Sequence, residues 1–164
     1  MGVTVSLSKL IKASYRSGTG SGALTQNVRI PSRISSLALA NGTGNLQVNE
    51  MYYRAVSFTG TTPQTFDLTA ISDGVRTVAF SKIKVLVILS QTTSYTDTLV
   101  VGNAASNQWT PGWSGATVTQ TLTGPSPLLC SNVGAGFTVD GTNKSLKITP
   151  SATQTVGLFL AGLS

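Results

Sequence analysis

The stretch that most constrains this chain is Thr77–Leu89, TVAFSKIKVLVIL, its longest apolar run. β-Branched and aromatic residues dominate it, which suits a pleated, buried strand. Val78 and Phe80 share one parity, whereas Ile83, Val85 and Val87 share the other. Residues of one parity lie on one face of a strand, so the change predicts a bulge or bend near Ser81–Lys82. Beyond it, Val85, Leu86, Val87 and Ile88 are apolar on both faces, the pattern of a central strand covered from two sides. One cover should be a second sheet. The other is the functional question.

The rest of the chain supplies short strands at fairly regular spacing. Residues 1–16 alternate through Val3, Val5, Leu7, Ile11, Ala13 and Tyr15, an extended arm or edge strand, and Ser17–Gly22 (SGTGSG) reads as a hinge. Val28, Ile30 and Ile34 alternate with Arg29, Pro31 and Arg33, and Pro31 confines that strand to an edge or interrupts it. Leu37 and Leu39 lead to the turn at Asn41–Gly44, and Leu46–Phe58 follows, with Met51, Tyr53, Val56 and Phe58 expected in the core. Then come Thr65–Thr69, the Asp73-Gly74 turn, Thr98–Val101, Thr117–Leu122, Leu128–Cys130, Gly136–Val139, the Asp140-Gly141 turn, Ser145–Thr149 and Thr155–Ala161. No helical period is sustained, so the expected class is all-β, an antiparallel sandwich or barrel. The division expected is an arm and hinge over 1–22 and one β domain over 23–164.

Composition narrows the function classes. At 164 residues the chain can bury a core without staples. It has no histidine, which removes the commonest general base and metal ligand, and its single cysteine, Cys130, excludes an internal disulfide. Only 10% of residues are charged. Large polar but uncharged surfaces suit faces that meet other protein. The net charge of +6 is uneven, with Lys9, Lys12, Arg16, Arg29, Arg33 and Arg54 set against Glu50 alone in the first sixty residues. These cations are spaced out, which favours contact with an acidic protein neighbour, or simply solvated charge, over a nucleic-acid arm. Lys9 and Lys12 break the first apolar cluster, so no secretory signal is read, and no apolar run has the length of a membrane span.

Catalytic constellations are weak. Asp73 and Asp140 precede glycine, where a carboxylate commonly bonds its own backbone, and nothing pairs Glu50, Asp67 or Asp97 across a substrate. A serine nucleophile would need lysine or a carboxylate as base, and Lys82 and Lys84 read as long side chains snorkelling from a sheet face. Neither an enzyme nor a bound cofactor or metal is expected. Trp109 and Trp113 bracket Pro111-Gly112, either as a contact surface for sugar or protein or as a loop folded down over the core.

Several pieces together resemble the capsid decoration (cement) proteins of tailed phages: NGTG at 41–44, TFDLT at 65–69, TVAFSKIKVLVI at 77–88, TLVVG at 98–102, GFTVDGTNKSLKI at 136–148 and VGLFLAG at 156–162. The resemblance lies in strand pattern and turn order over about residues 41–162. It implies an antiparallel jelly-roll-like β-sandwich; the extended N-terminal arm read from the alternation lies in the first forty residues, outside the resemblance. It also implies a structural virion protein, made in the host cytoplasm, that sits on an icosahedral shell and bridges neighbouring major capsid subunits as a dimer or trimer. No membrane partner and no direct nucleic-acid contact are expected. The residues expected to make protein contacts are Lys9, Lys12, Tyr15, Arg16, Arg29, Arg33, Trp109 and Trp113. The alternatives are a carbohydrate- or receptor-binding module of a tail or fibre, and a small self-assembling coat protein whose basic arm meets the genome.

Overall fold

The computed structural model describes residues 5–7, 11–17, 24–30, 37–110 and 117–164, with side chains from Leu39 onward. The strands are β1 (Val5–Leu7), β2 (Ile11–Ser17), β3 (Leu24–Ile30), β4 (Leu37–Asn41), β5 (Gln47–Val48), β6 (Glu50–Phe58), β7 (Gln64–Asp67) and β8 (Ile71–Ser72). They continue as β9 (Thr77–Val78), β10 (Lys82–Ser90), β11 (Thr98–Gly102), β12 (Thr119–Thr123), β13 (Pro127–Ser131), β14 (Phe137–Thr138), β15 (Ser145–Pro150) and β16 (Gln154–Leu163). No helix among the described residues is long and apolar enough to cross a membrane.

Two sheets carry the architecture. One has the order β6–β16–β10–β13, with β14 pairing the start of β10, and the other has β7–β15–β11–β12. All of these pairings are antiparallel. The pairs β11·β12, β10·β13, β7·β15 and β6·β16 are nested, as in one long two-stranded ribbon doubled back at the β11–β12 connection. Wrapping that ribbon adds the pairs β10·β16 and β11·β15 and splits it between two facing sheets. That is the jelly-roll order. The all-β sandwich expected from the strand cadence is therefore the fold.

Alternation along each strand builds the core. Tyr52, Val56 and Phe58 of β6, Val156, Leu158 and Leu160 of β16, and Leu86 and Ile88 of β10 face Leu99 and Val101 of β11 and Leu146 and Ile148 of β15. All are buried, as the period of two requires for sheets packed face to face. Toward one end, buried polar groups satisfy one another. Ser90 donates to Gln154 Oε1 at 2.9 Å, and Gln154 Nε2 donates to the Thr98 carbonyl at 3.3 Å.

The bulge foreseen in Thr77–Leu89 exists, two residues further on. The β10·β16 register shifts between Ile83 and Val85, making Lys84 the extra residue. Val78 and Phe80 precede the long strand and fill the main core, Val78 from the short β8·β9 pair. Gly162 lies opposite Ile83 at the bulge, and a Cβ there would collide with the Lys82 carbonyl oxygen. Only a residue without a side chain lets the two backbones approach so closely.

Upstream of the sandwich, β1 pairs antiparallel with β4, and β4 pairs in parallel with β5. β2 and β3 pair with each other from Ile11↔Ile30 to Ser17↔Leu24. The Gly/Ser run read as a hinge, with the boundary expected at residue 22, lies outside the described residues, apart from Ser17 at the end of β2.

Candidate docking face

The β6–β16–β10–β13 sheet has a second face, turned away from the core, and it is apolar as well. Register defines its rows across the four strands. Met51, Ala161, Val85 and Ser131 form one row, Tyr53, Phe159, Val87 and Leu129 the next, and Ala55, Gly157, Leu89 and Pro127 the third. No residue in these rows is charged.

The chain covers the middle of the first row itself. Leu39 of β4 and Val48 of β5 form a small second core with Val85 and Ala161, all fully buried, with Val87, Val133 and Phe159 at its margin. The β4–β5 segment is held down by Leu46 N–H donating to the Val133 carbonyl and Asn49 N–H to the Gly162 carbonyl, both at 3.0 Å. Its turn is the Asn41–Gly44 stretch. Gly42 has φ of 142°, and the Gln47 side chain folds across it to accept from Gly44 N–H at 2.8 Å.

Lys84 belongs to this covered zone. The sequence reading had Lys82 and Lys84 both snorkelling to solvent. Lys82 is exposed, but Lys84 is 1% exposed, and its ammonium donates to the Gly44 carbonyl of the covering turn. The bulge turns this side chain under a segment forty residues upstream. Burial pushes its pKa down, and the nearby Lys82 charge adds to the effect.

Beyond that cover the face is open. Tyr53 is 60% exposed and Leu129 52%, with Met51 and Leu89 also exposed and Phe159 and Val87 half-buried. A belt that runs across every strand of one sheet differs from scattered surface apolar residues and marks an interaction face. It is the cover left unassigned when β10 was read as apolar on both sides.

The residues expected to make contacts fall in three places. Trp109 is 1% exposed and seals the main core between the sheets. Its indole N–H donates to the Thr138 carbonyl at 3.0 Å, and its ring meets Phe137 edge-on at 6.1 Å. It is a plug for the core and does not present a surface, because its large apolar ring gains most where the strand ends leave a gap. Lys12, Tyr15 and Arg16 lie on β2 and Arg29 on β3. Lys9, Arg33 and Trp113 lie outside the described residues.

The carboxylates are occupied with local work. Asp73 Oδ1 accepts from the N–H groups of Val75 and Arg76, each at 2.8 Å, and Asp140 Oδ1 accepts from Thr142 and Asn143. These bonds hold both carboxyls below their ordinary range. Asp67 is lowered first by its bond to Lys144, at 2.6 Å, and then by Thr69. Asp97 accepts from the Thr92 hydroxyl at 2.6 Å. Among the described residues, no three Asp, Glu or Cys side chains gather into a metal-binding group.

The belt carried a sequence signal in the two-faced apolarity of β10 and β16. Leu129 gave none, and Met51 and Tyr53, expected in the core, are exposed, because β6 turns the other parity, Tyr52, Val56 and Phe58, inward. No family model, curated protein or solved structure matches the chain.

Proposed function

We propose that this chain is a structural virion protein that decorates an icosahedral phage capsid and cements it by bridging neighbouring major capsid subunits. The observation that carries this reading is the uncharged apolar belt across a whole sheet of a jelly roll. Jelly rolls recur in viral capsid domains, and their two-sheet sandwich leaves outer sheet faces free to meet other subunits. On this reading the protein is non-catalytic, acts as an oligomer, and holds the shell by many modest contacts made at once. Binding of the purified chain to capsids lacking it, measured by co-sedimentation, tests the proposal. Loss of binding on deleting residues 1–22, with the circular dichroism of the sandwich retained, is the expected result. Full-length protein that does not sediment with such capsids would overturn it.

A second reading is favoured by the distribution of charge. Five of the eleven cations and none of the five acids fall in residues 1–36, leaving six cations against five acids in the remainder. A nearly neutral body behind a basic segment also suits a self-assembling coat protein whose arm meets nucleic acid. Shells formed by this chain alone, with nucleic acid inside, would support that reading over decoration. The sugar-binding alternative loses one of its two tryptophans to the core, since Trp109 is sealed.

A further inference from the structure

The cover of the first row belongs to a layer that extends further. Leu46 N–H donates to the Val133 carbonyl, just past β13, and Asn49 N–H to the Gly162 carbonyl of β16, so β5 crosses the strands of the sheet. β4 runs parallel to β5 and β1 antiparallel to β4, in the order β5–β4–β1. The layer grows toward the second row, because Val87 and Phe159 lie at the margin of the cluster that Leu39 and Val48 seal. Neighbouring strands are about 4.8 Å apart and successive rows of one sheet face about 6.7 Å, so one strand beyond β4 reaches the second row.

Register fixes which positions of β1 share the face of the layer that meets the sheet. Val5 stands opposite Leu39 and Leu7 opposite Leu37, and directly opposed residues of an antiparallel pair lie on one face. Leu39 is the residue of that face already buried with Val85 and Ala161. Val5 and Leu7 are apolar, Ser6 takes a position on the opposite face, and β1 has no charge. Exposure along the second row has the matching form. Val87 and Phe159 in its middle are half-buried, while Tyr53 and Leu129 at its ends are more than half exposed. A three-residue strand, about 10 Å long, spans the middle of a four-strand row about 14 Å wide and leaves its ends bare.

We infer that the middle of the belt is the seat of the chain's own N-terminal strand, with Val5 and Leu7 laid over Val87 and Phe159 as a strap. The pairing of β1 is to β4 of the same chain, and Leu39 anchors β4 to the sheet, which selects this segment over a neighbour's. So short an edge strand gains little from pairing alone, and the apolar row beneath supplies what holds it. The strap leaves Tyr53, Leu129 and the third row as the apolar surface on offer to other subunits. A partner that needs the whole belt must first displace β1. The strap is tested on the free protein with no capsid present, so it and the decoration reading fail separately.

The test follows the thiol of Val87→Cys in a full-length Cys130→Ser chain, by its rate of reaction with a maleimide. Deleting residues 2–8, or introducing Val5→Asp with Leu7→Asp, is expected to raise that rate about five-fold or more, with the circular dichroism of the sandwich unchanged. Ser6→Asp, on the opposite face, should leave the rate as it was, and the full-length rate should not depend on protein concentration. A rate unmoved by the deletion overturns the inference, and so does an equal rise from Ser6→Asp. Protection that grows with concentration also overturns it, since a second copy would then be the cover. A second measurement needs no charged substitution. In the same background a short bis-maleimide should join Val5→Cys to Val87→Cys within one chain, and should join Ser6→Cys to Val87→Cys far less. Links formed only between chains, or equally from both positions, count against the strap.

Discussion

Replacing Trp109 by alanine removes the largest fully buried side chain of the sandwich. Truncating a buried tryptophan costs about 3–5 kcal/mol, with the position in that range set by how far the site can collapse. Here collapse is hindered. Trp109 N–H is tied to the Ser145 carbonyl at 3.0 Å, and Phe137 packs edge-on against the indole rather than over it. The edge-on pair adds about 0.5–1.5 kcal/mol beyond area burial, so the upper half of the range is expected. The Thr138 carbonyl is not orphaned by the change, because Asn143 Nδ2 also donates to it at 2.8 Å. Trp109→Phe, which keeps a ring and loses the N–H donor, should therefore cost only about 1–2 kcal/mol. Urea denaturation followed by far-ultraviolet circular dichroism measures both. With a slope of about 2 kcal/mol per molar, the alanine variant should lose about 2 M in midpoint. A loss below about 1 kcal/mol for Trp109→Ala would refute the plug and return this residue to the surface.

Two further variants test the bulge and the buried lysine. Gly162→Ala forces a methyl group against the Lys82 carbonyl oxygen and Ile83 backbone, and should cost at least about 3 kcal/mol or abolish soluble expression. A fully stable Gly162→Ala protein would show that β10 and β16 do not approach as described. For Lys84 the sign follows from its lowered pKa. Between its folded pKa and the ordinary lysine value near 10.5, the unfolded chain binds more protons, so stability rises with pH across that window. Lys84→Met removes the buried charge and should be near neutral or stabilising at pH 7. Its advantage over the natural chain should shrink as the pH is raised toward 10, and a difference independent of pH would contradict burial of the ammonium.

Much of the sandwich was legible in the chain because turn chemistry and alternation are local. The segments read as 98–101, 128–130, 145–149 and 155–161 correspond to β11, β13, β15 and β16 to within two residues at each end. The stretch taken as one strand from Leu46 to Phe58 is broken at Asn49 into β5 and β6, because Val48 serves the outer cover while Tyr52 serves the core. The fate of Lys84 could not be read locally. It depends on Gly44, forty residues away, and on a bulge two positions beyond the parity change that announced it. Trp109 was equally balanced in the sequence between surface and core, since a Gly/Pro loop tolerates both, and only the gap between the sheets decides it. The docking face was half visible: apolarity on both sides of β10 required a second cover, but cross-strand register was needed to show its extent.

The nested pairing of strands also sets the order in which the protein can assemble. β16 lies between β6 and β10, so Phe58 meets Gln154 and Glu50 meets Gly162 only after about a hundred intervening residues have been made. Until β16 arrives, both neighbours hold bare edges lined by apolar side chains. Folds dominated by such distant pairings mature in milliseconds to seconds, and their unfilled edges invite partner chains. Yield of soluble protein should accordingly depend on synthesis rate and temperature more than its equilibrium stability suggests. Slow, cool expression favours the intramolecular insertion of β16 over the capture of another chain's strand.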